Sequence, residues 1–160
     1  MHSPRLLALA VSTFALAACN PFHHEPVTEV SRDANLNSRW SASLVTPATL
    51  VGAVQINGSA AMQPGRNGAA TDVSLSLANA TPGGVHPWQV HRGQCGADDG
   101  RLGSAGAYPP IQIGDDGRGR ATATIPMTMP TTGSYFVAVS ASSANAETVV
   151  ACGNLAPPTS

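Results

Sequence analysis

The sequence contains no lysine, and all eight of its basic residues are arginines. Charged side chains make up 11% of the chain, against about a quarter in an average soluble protein, and the formal net charge is −1. Because the arginines form no cluster, the sequence argues against the concentrated positive surface that nucleic-acid binding requires. It also contains no Gly-x-Ser-x-Gly motif and no glycine-rich phosphate loop, so nothing in it favours a hydrolase.

Aromatic residues are equally scarce, at 4% of the chain, whereas glycine, proline, alanine, serine and threonine are abundant. This composition is typical of an exported β domain with many turns, and partial disorder is the alternative. No long apolar run reaches the length of about 20 residues that a membrane-spanning helix needs. The length of 160 residues is enough for one domain and an export signal.

The N-terminal residues have the pattern of an export signal. Arg5 supplies a positive charge, and residues 6–15 form an apolar run interrupted only by one serine and one threonine. Ala17 and Ala18 are small enough for a signal-peptidase groove, and Cys19 follows them directly. We therefore predict a signal peptide over residues 1–18.

The segment ending at Cys19 resembles the lipobox of bacterial lipoproteins. In that family the cysteine thiol takes a diacylglyceryl group and the new amino terminus is acylated, and several acyl chains give lasting attachment where one is marginal. The resemblance implies lipidation of Cys19 and a place in the bacterial cell envelope. Asn20 favours the outer membrane, facing the periplasm, over retention in the inner membrane. An ordinary signal peptide with a chance cysteine is the alternative.

Residues 19–38 read as the lipidated N-terminus and a flexible tether, and residues 39–160 as the β domain. His23, His24 and Glu25 lie in this tether and offer metal-binding groups. A solvated pair of histidines is the simpler interpretation, because a flexible segment offers no preorganised geometry.

The other two cysteines, Cys95 and Cys152, form an even pair if Cys19 carries lipid. An exported protein meets an oxidising compartment, so we expect them to form a disulfide. Such a bridge would close a loop of about 57 residues, which the chain-entropy model values at roughly 4 kcal/mol. A zinc site is the alternative, although no further cysteine or nearby histidine supports it.

From about residue 39 onward the pattern has a period of two. Residues 71–77 alternate cleanly, with Val73, Leu75 and Leu77 expected to face a core. Further strands are predicted at 59–63, 85–91, 111–113, 119–125, 134–140 and 149–155, separated by turns rich in glycine and proline, and residues 95–110 are predicted to form a glycine-rich loop. Short strands at this spacing predict an all-β Greek-key sandwich or barrel.

Three of these segments together resemble the copper/zinc superoxide dismutases. Residues 84–95, Gly-Val-His-Pro-Trp-Gln-Val-His-Arg-Gly-Gln-Cys, resemble the first metal-binding strand of that family. Residues 115–125 resemble its turn and strand after the zinc loop, and residues 150–155 resemble its closing Ala-Cys-Gly strand. Bacterial lipoproteins with a superoxide dismutase-like domain are more similar still. The resemblance spans roughly residues 51–155 and implies a Greek-key barrel with shortened loops, in which the same two cysteines pair.

The copper ligands that the resemblance implies are mostly missing. The His-x-His pair of the family corresponds here to Gln89 and His91, and an amide is a poor copper ligand beside imidazole. The last copper histidine aligns with Val139, and the guiding arginine aligns with Val149. The loop that should supply zinc ligands contains no histidine, which leaves only its two aspartates, Asp98 and Asp99.

His86 matches a structural histidine of the family rather than a metal ligand. His86 and His91 are the remaining candidate metal ligands, but a structural role is favoured for both, because a spacing of five puts them on opposite faces of an ideal strand. We assign no catalytic residue and expect no resident cofactor, with copper or zinc as the alternative.

The resulting prediction is an envelope lipoprotein whose superoxide dismutase-like domain has lost dismutase activity and has a binding or structural role. Its predicted partners are the membrane, through the lipid anchor, and a small ligand or protein that the sequence does not specify. Two alternatives stay open at this point. One is an active, metal-dependent superoxide dismutase, and the other is a copper-binding or carrier lipoprotein that uses His23 and His24.

Overall fold

The computed structural model describes residues 38–158, which form the all-β domain that the sequence predicts. Two 3₁₀ turns, Ala48–Leu50 and Ala105–Ala107, lie between strands. The ten strands are β1 (Trp40–Val45), β2 (Asn57–Pro64), β3 (Thr71–Ala78), β4 (Val85–His86), β5 (Trp88–Gln94), β6 (Ala97–Arg101), β7 (Ile111–Gln112), β8 (Gly119–Ile125), β9 (Tyr135–Ser140) and β10 (Val149–Leu155).

Eight strands form one antiparallel sheet, in the order β6-β5-β9-β10-β1-β2-β3-β8, which curls into a half-barrel. The last strand lies beside the first, and β8 lies beside β3 rather than beside its neighbours in sequence. The chain therefore crosses between strands of one sheet in the manner of a Greek key, and the predicted fold class is confirmed. The remaining strands, β4 and β7, form a separate antiparallel pair.

The period-two alternation places one side of each long strand in the core. In β3, Val73, Leu75 and Leu77 are almost fully buried, whereas Ser74 faces solvent, as predicted. Burial of this apolar area is the main stabilising contribution, at roughly 25 cal/mol per Å² removed from water. The largest fully buried side chains are Trp88, Leu44, Met62, Leu77, Leu102, Ile111, Ile125, Val73, Val90, Val137, Val139 and Thr71.

Two of the predicted segments are wrong, and several other strands differ from their predicted bounds by one or two residues at an end. Residues 85–91 do not form one strand, because Pro87 lacks the N–H that a continuous ladder needs, and the chain divides there into β4 and β5. Residues 95–110 are not a simple loop, since they contain β6 and the second 3₁₀ turn. All five residues of β6 are exposed, so the strand lacks the apolar alternation by which sequence patterns reveal strands.

Trp88 connects the start of β5 to the segment that follows β6. Its indole N–H donates to the carbonyl of Pro109 at 2.7 Å, and its ring meets that of Tyr108 edge-on with 5.3 Å between centroids. The Tyr108 hydroxyl in turn donates to the carbonyl of Leu102 at 2.6 Å. Burial raises the pKa of Tyr108 to about 12. These contacts fix the segment after β6 against the barrel.

We expect the phenol of Tyr108 to ionise in the folded protein only as the pH approaches about 12. Because this pKa lies above the ordinary value of 10.0, the neutral phenol stabilises the fold below pH 10, and that contribution is lost as the pH rises from 10 towards 12. Phenolate absorbance during an alkaline titration measures the transition. The Tyr108→Phe variant is the control, and persistence of the late transition in that variant would contradict the assignment.

Candidate functional site

An open groove of about 1090 Å³ lies on the outer face of the sheet, across β5, β9, β10 and β1. The alternation that sends Trp88 and Val90 into the core sends Gln89 and His91 outward, so both line the groove. One wall is the turn between β5 and β6, and the opposite wall includes Glu147 in the connection between β9 and β10. The volume is at the upper end of the range for small-molecule sites.

His91 is held in one orientation in this groove. Its Nδ1 lies 2.9 Å from Oδ2 and 3.0 Å from Oδ1 of Asp98, and its ring stacks on Phe136 with 5.2 Å between centroids. A carboxylate only accepts hydrogen bonds, so in the neutral imidazole Nδ1 carries the proton and Nε2 keeps the lone pair. Nε2 has no hydrogen-bond partner among the described residues and can accept a hydrogen bond from a ligand.

Asp98 is ionised at neutral pH. The backbone N–H of Gly100 donates to its Oδ1 at 2.7 Å and lowers the pKa of the carboxyl below its ordinary value, with a further lowering from His91. The carboxylate is therefore held by its own turn as well as by the imidazole. The Asp98 carboxylate therefore sets which tautomer the neutral imidazole of His91 adopts.

Gln89 lies beside His91 on the groove face and accepts a hydrogen bond from Nη1 of Arg101 at 3.3 Å. Directly opposite Gln89 on β9 is Ala138. Val139, the residue aligned with the last copper ligand, is fully buried in the core and does not reach the groove. Within the described residues, His91 is the one imidazole that lines this groove.

A disulfide joins Cys95 to Cys152, as cysteine parity predicts. Cys95 lies at the turn between β5 and β6, and Cys152 lies in the middle of β10, where it pairs with Ala138 of β9. The N–H of Cys95 also donates to Oδ1 of Asn154 at 2.9 Å. The turn after β5 is therefore fixed to the second strand along the sheet, and it forms a wall of the groove.

His86 lies outside the groove and does not converge on His91. It is 8% exposed, and its Nδ1 lies 3.0 Å from the carbonyl oxygen of Ser140, which accepts the bond. Its buried Nε2 has no hydrogen-bond partner. The imidazole thus ties β4 to the end of β9. Across residues 38–158 we find no cluster of three or more His, Cys, Asp or Glu side chains that could hold a metal ion.

The residues of the predicted signal and anchor, including Cys19, Asn20, His23 and His24, lie outside the described residues. Within the part of the chain that the structure describes, we find no helix with the length and hydropathy of a transmembrane span. Comparison of the chain with protein-family models and with curated proteins finds no match.

Sequence reasoning missed several groove residues, chiefly Arg101, Asn154 and Glu147. Arg101 and Glu147 belong to no motif, and Asn154 lies in the closing Ala-Cys-Gly segment without a role of its own there. These residues meet because β6, β5, β9 and β10 are consecutive in the sheet. Phe136 is the groove residue that the sequence pattern could have identified. It is an aromatic residue on the side of β9 opposite Val137 and Val139, where an outer face should be polar.

Proposed function

We propose that the chain is a lipid-anchored protein of the bacterial envelope whose superoxide dismutase-like domain binds a ligand in the outer groove and does not dismutate superoxide. The observation that carries this proposal is the composition of the groove face. Gln89 and Ala138 stand in register where further imidazoles would be needed, and His91 is the histidine that faces the groove.

The family assignment within this proposal is supported by three features that lie far apart in sequence. The domain is a Greek-key barrel, Cys95 pairs with Cys152, and His86 ties β4 to the backbone of β9. The resemblance implies the fold, the cysteine pairing and a structural role for His86. The lipid anchor and the envelope location are supported by the pattern that ends at Cys19 and by the disulfide, which is typical of oxidising compartments.

The loss of dismutase activity follows from ligand chemistry. A redox copper centre needs several nitrogen donors in an open geometry, and Nε2 of His91 is one such donor. Gln89 is occupied by Arg101, and the methyl group of Ala138 cannot coordinate a metal. A single imidazole does not hold copper against cellular competitors.

The binding role is supported by the form of the groove. Its floor includes apolar groups, among them Ala138 and the disulfide, and its walls present the lone pair of His91 and the guanidinium of Arg101. A mostly apolar depression with a few fixed polar groups is the usual form of a small-molecule site. The disulfide and the Asp98 contact hold the wall in place before a ligand arrives, which lowers the entropic cost of binding.

Copper loading tests the proposal. We expect the full-length chain, supplied with copper and zinc and then dialysed against a chelator, to consume superoxide no faster than the metal-free chain, and the His91→Ala variant to behave identically. Metal analysis after dialysis and a superoxide assay make the two measurements. Stoichiometric copper and fast superoxide consumption, both lost in His91→Ala, would instead establish an active dismutase. Stoichiometric copper lost only when His23 and His24 are replaced by alanine would favour the copper carrier.

A further inference from the structure

Phe136 is a buried aromatic residue on the outer face of its strand, the face that points away from the main core. Along β9, Tyr135, Val137 and Val139 face the core, so Phe136 and Ala138 face outward. Both are nevertheless buried, at 4% and 7% exposure. They belong to a small apolar cluster with Cys152 and the half-buried Val149, separate from the main core. Something outside the barrel must therefore cover this cluster, which we call the outer patch.

The cover is the hairpin tip, residues 93–98, which joins β5 to β6. β5 is the neighbour of β9, and β10 lies one strand beyond, so a turn that leaves β5 and reaches Cys152 must cross the outer face of β9. Adjacent strands are about 4.8 Å apart, which makes this crossing short. The ring of His91, stacked on Phe136, covers the patch from the other side.

The tip has few other attachments. Every residue of β6 is exposed, so this strand contributes no side chain to either apolar cluster. Besides the disulfide, the tip is held by the bond from the Cys95 N–H to Asn154, by the contact of Asp98 with His91, and by the N–H of Gly93 donating to the carbonyl of Ser134 at 2.9 Å. Hydrogen bonds and ion pairs of exposed groups contribute little each, since water competes for them.

We propose that the Cys95–Cys152 disulfide is a reversible latch, whose reduction releases the hairpin tip, exposes Phe136 and removes one wall of the groove while the barrel stays folded. The effect of the latch on ligand binding in the groove rests on the function proposed above. The release of the tip itself depends only on the contacts of the hairpin.

The reductant is a dithiol, of the class that dithiol oxidoreductases present. One thiolate attacks Sγ of Cys95, which is the exposed sulfur, and forms a mixed disulfide. The S–S bond of the protein breaks, and Cys152 leaves as a thiolate and takes a proton. The second thiol of the reductant then attacks its partner sulfur and releases Cys95, so the reductant gains a disulfide and the protein gains two thiols.

Amide hydrogen exchange on the full-length chain in detergent micelles, with and without dithiothreitol, tests the latch. The Cys95 N–H reports docking directly, because it donates to a side chain outside the sheet ladder. We expect its exchange to become at least about tenfold faster on reduction and to approach the rate of an unprotected amide. The N–H of Val73 in β3 should stay at least about a hundredfold slower than an unprotected amide.

A Cys95 N–H that keeps its protection after reduction would overturn the latch, because the tip would then be held without the disulfide. Loss of protection at Cys95 and Val73 together would also overturn it, because reduction would then unfold the whole domain. The Cys95→Ser, Cys152→Ser variant should exchange quickly at residue 95 without reductant and show no response to it. None of these measurements uses a ligand. Their outcome therefore distinguishes a failure of the latch from a failure of the proposed binding role.

Binding of a hydrophobic dye provides a second measurement of the release of the hairpin tip. The reduced chain should bind more dye than the oxidised chain, and the increase should be absent in Phe136→Ser, which removes the aromatic ring of the outer patch. Equal dye binding by the oxidised and reduced chains, or an increase that survives in Phe136→Ser, would contradict exposure of the patch.

Discussion

Replacing both bridging cysteines by serine, Cys95→Ser and Cys152→Ser, is expected to lower the free energy of unfolding by about 4 kcal/mol. The two residues are 57 apart in sequence, and the bridge removes the entropy of a loop of that length from the unfolded chain. For a domain of this size the melting temperature should fall by roughly 10–20 °C. Chemical denaturation followed by tryptophan fluorescence measures the change.

The matched control is Cys19→Ser, which leaves the disulfide intact and should change the unfolding free energy by no more than about 0.5 kcal/mol. The double serine variant should also become insensitive to dithiothreitol, while the parent chain loses stability on reduction. If the double variant unfolded within about 1 kcal/mol of the parent, the unfolded chain would have to be compact enough that the bridge restrains little.

The parts of the fold that the sequence predicts are those in which a local pattern and the tertiary environment agree. β8 and β10 have the predicted bounds, and β3 extends one residue beyond its prediction. β3 and β8 alternate between a core face and an outer face, whereas β10 is a short apolar run between turn residues. The turns that precede Gly84 and Gly119 are likewise where glycine and proline place them. Local chemistry specifies these elements, so one sequence suffices to find them.

β6 shows the limit of local reasoning. Its sequence, Ala-Asp-Asp-Gly-Arg, has no apolar residue larger than alanine and resembles a turn. The strand exists because its neighbour β5 offers a ladder and because the disulfide brings the preceding turn onto the sheet. Neither cause is visible in a window of five residues, although parity of the cysteines predicted the bridge itself.

The candidate site is predicted only in part for the same reason. His91 was identified from its strand, and Asp98 from the loop that follows, but their contact depends on the register of β5 with β6. Val139, which the resemblance aligns with a ligand position, faces the core, whereas its neighbour Ala138 faces the groove. In a strand, a shift of one residue exchanges the two faces.

Trp88 is the residue whose replacement is expected to have the other large effect on stability. Replacing it with alanine should lower the free energy of unfolding by about 3–5 kcal/mol, because the indole is 1% exposed and its removal leaves a cavity in the core beneath the start of β5. The change also removes the ring that packs on Tyr108 and the donor to the carbonyl of Pro109. Equilibrium denaturation followed by far-ultraviolet circular dichroism avoids reliance on the fluorescence of the deleted residue.

Two companion variants separate packing from hydrogen bonding. Trp88→Phe keeps an aromatic ring but leaves the Pro109 carbonyl without its donor, and it should cost about 1–3 kcal/mol. Arg92→Ala, in the same strand but exposed, should change stability by no more than about 0.5 kcal/mol. A Trp88→Ala variant as stable as Arg92→Ala would mean that the barrel closes around the missing ring, since a cavity costs less where its walls can collapse.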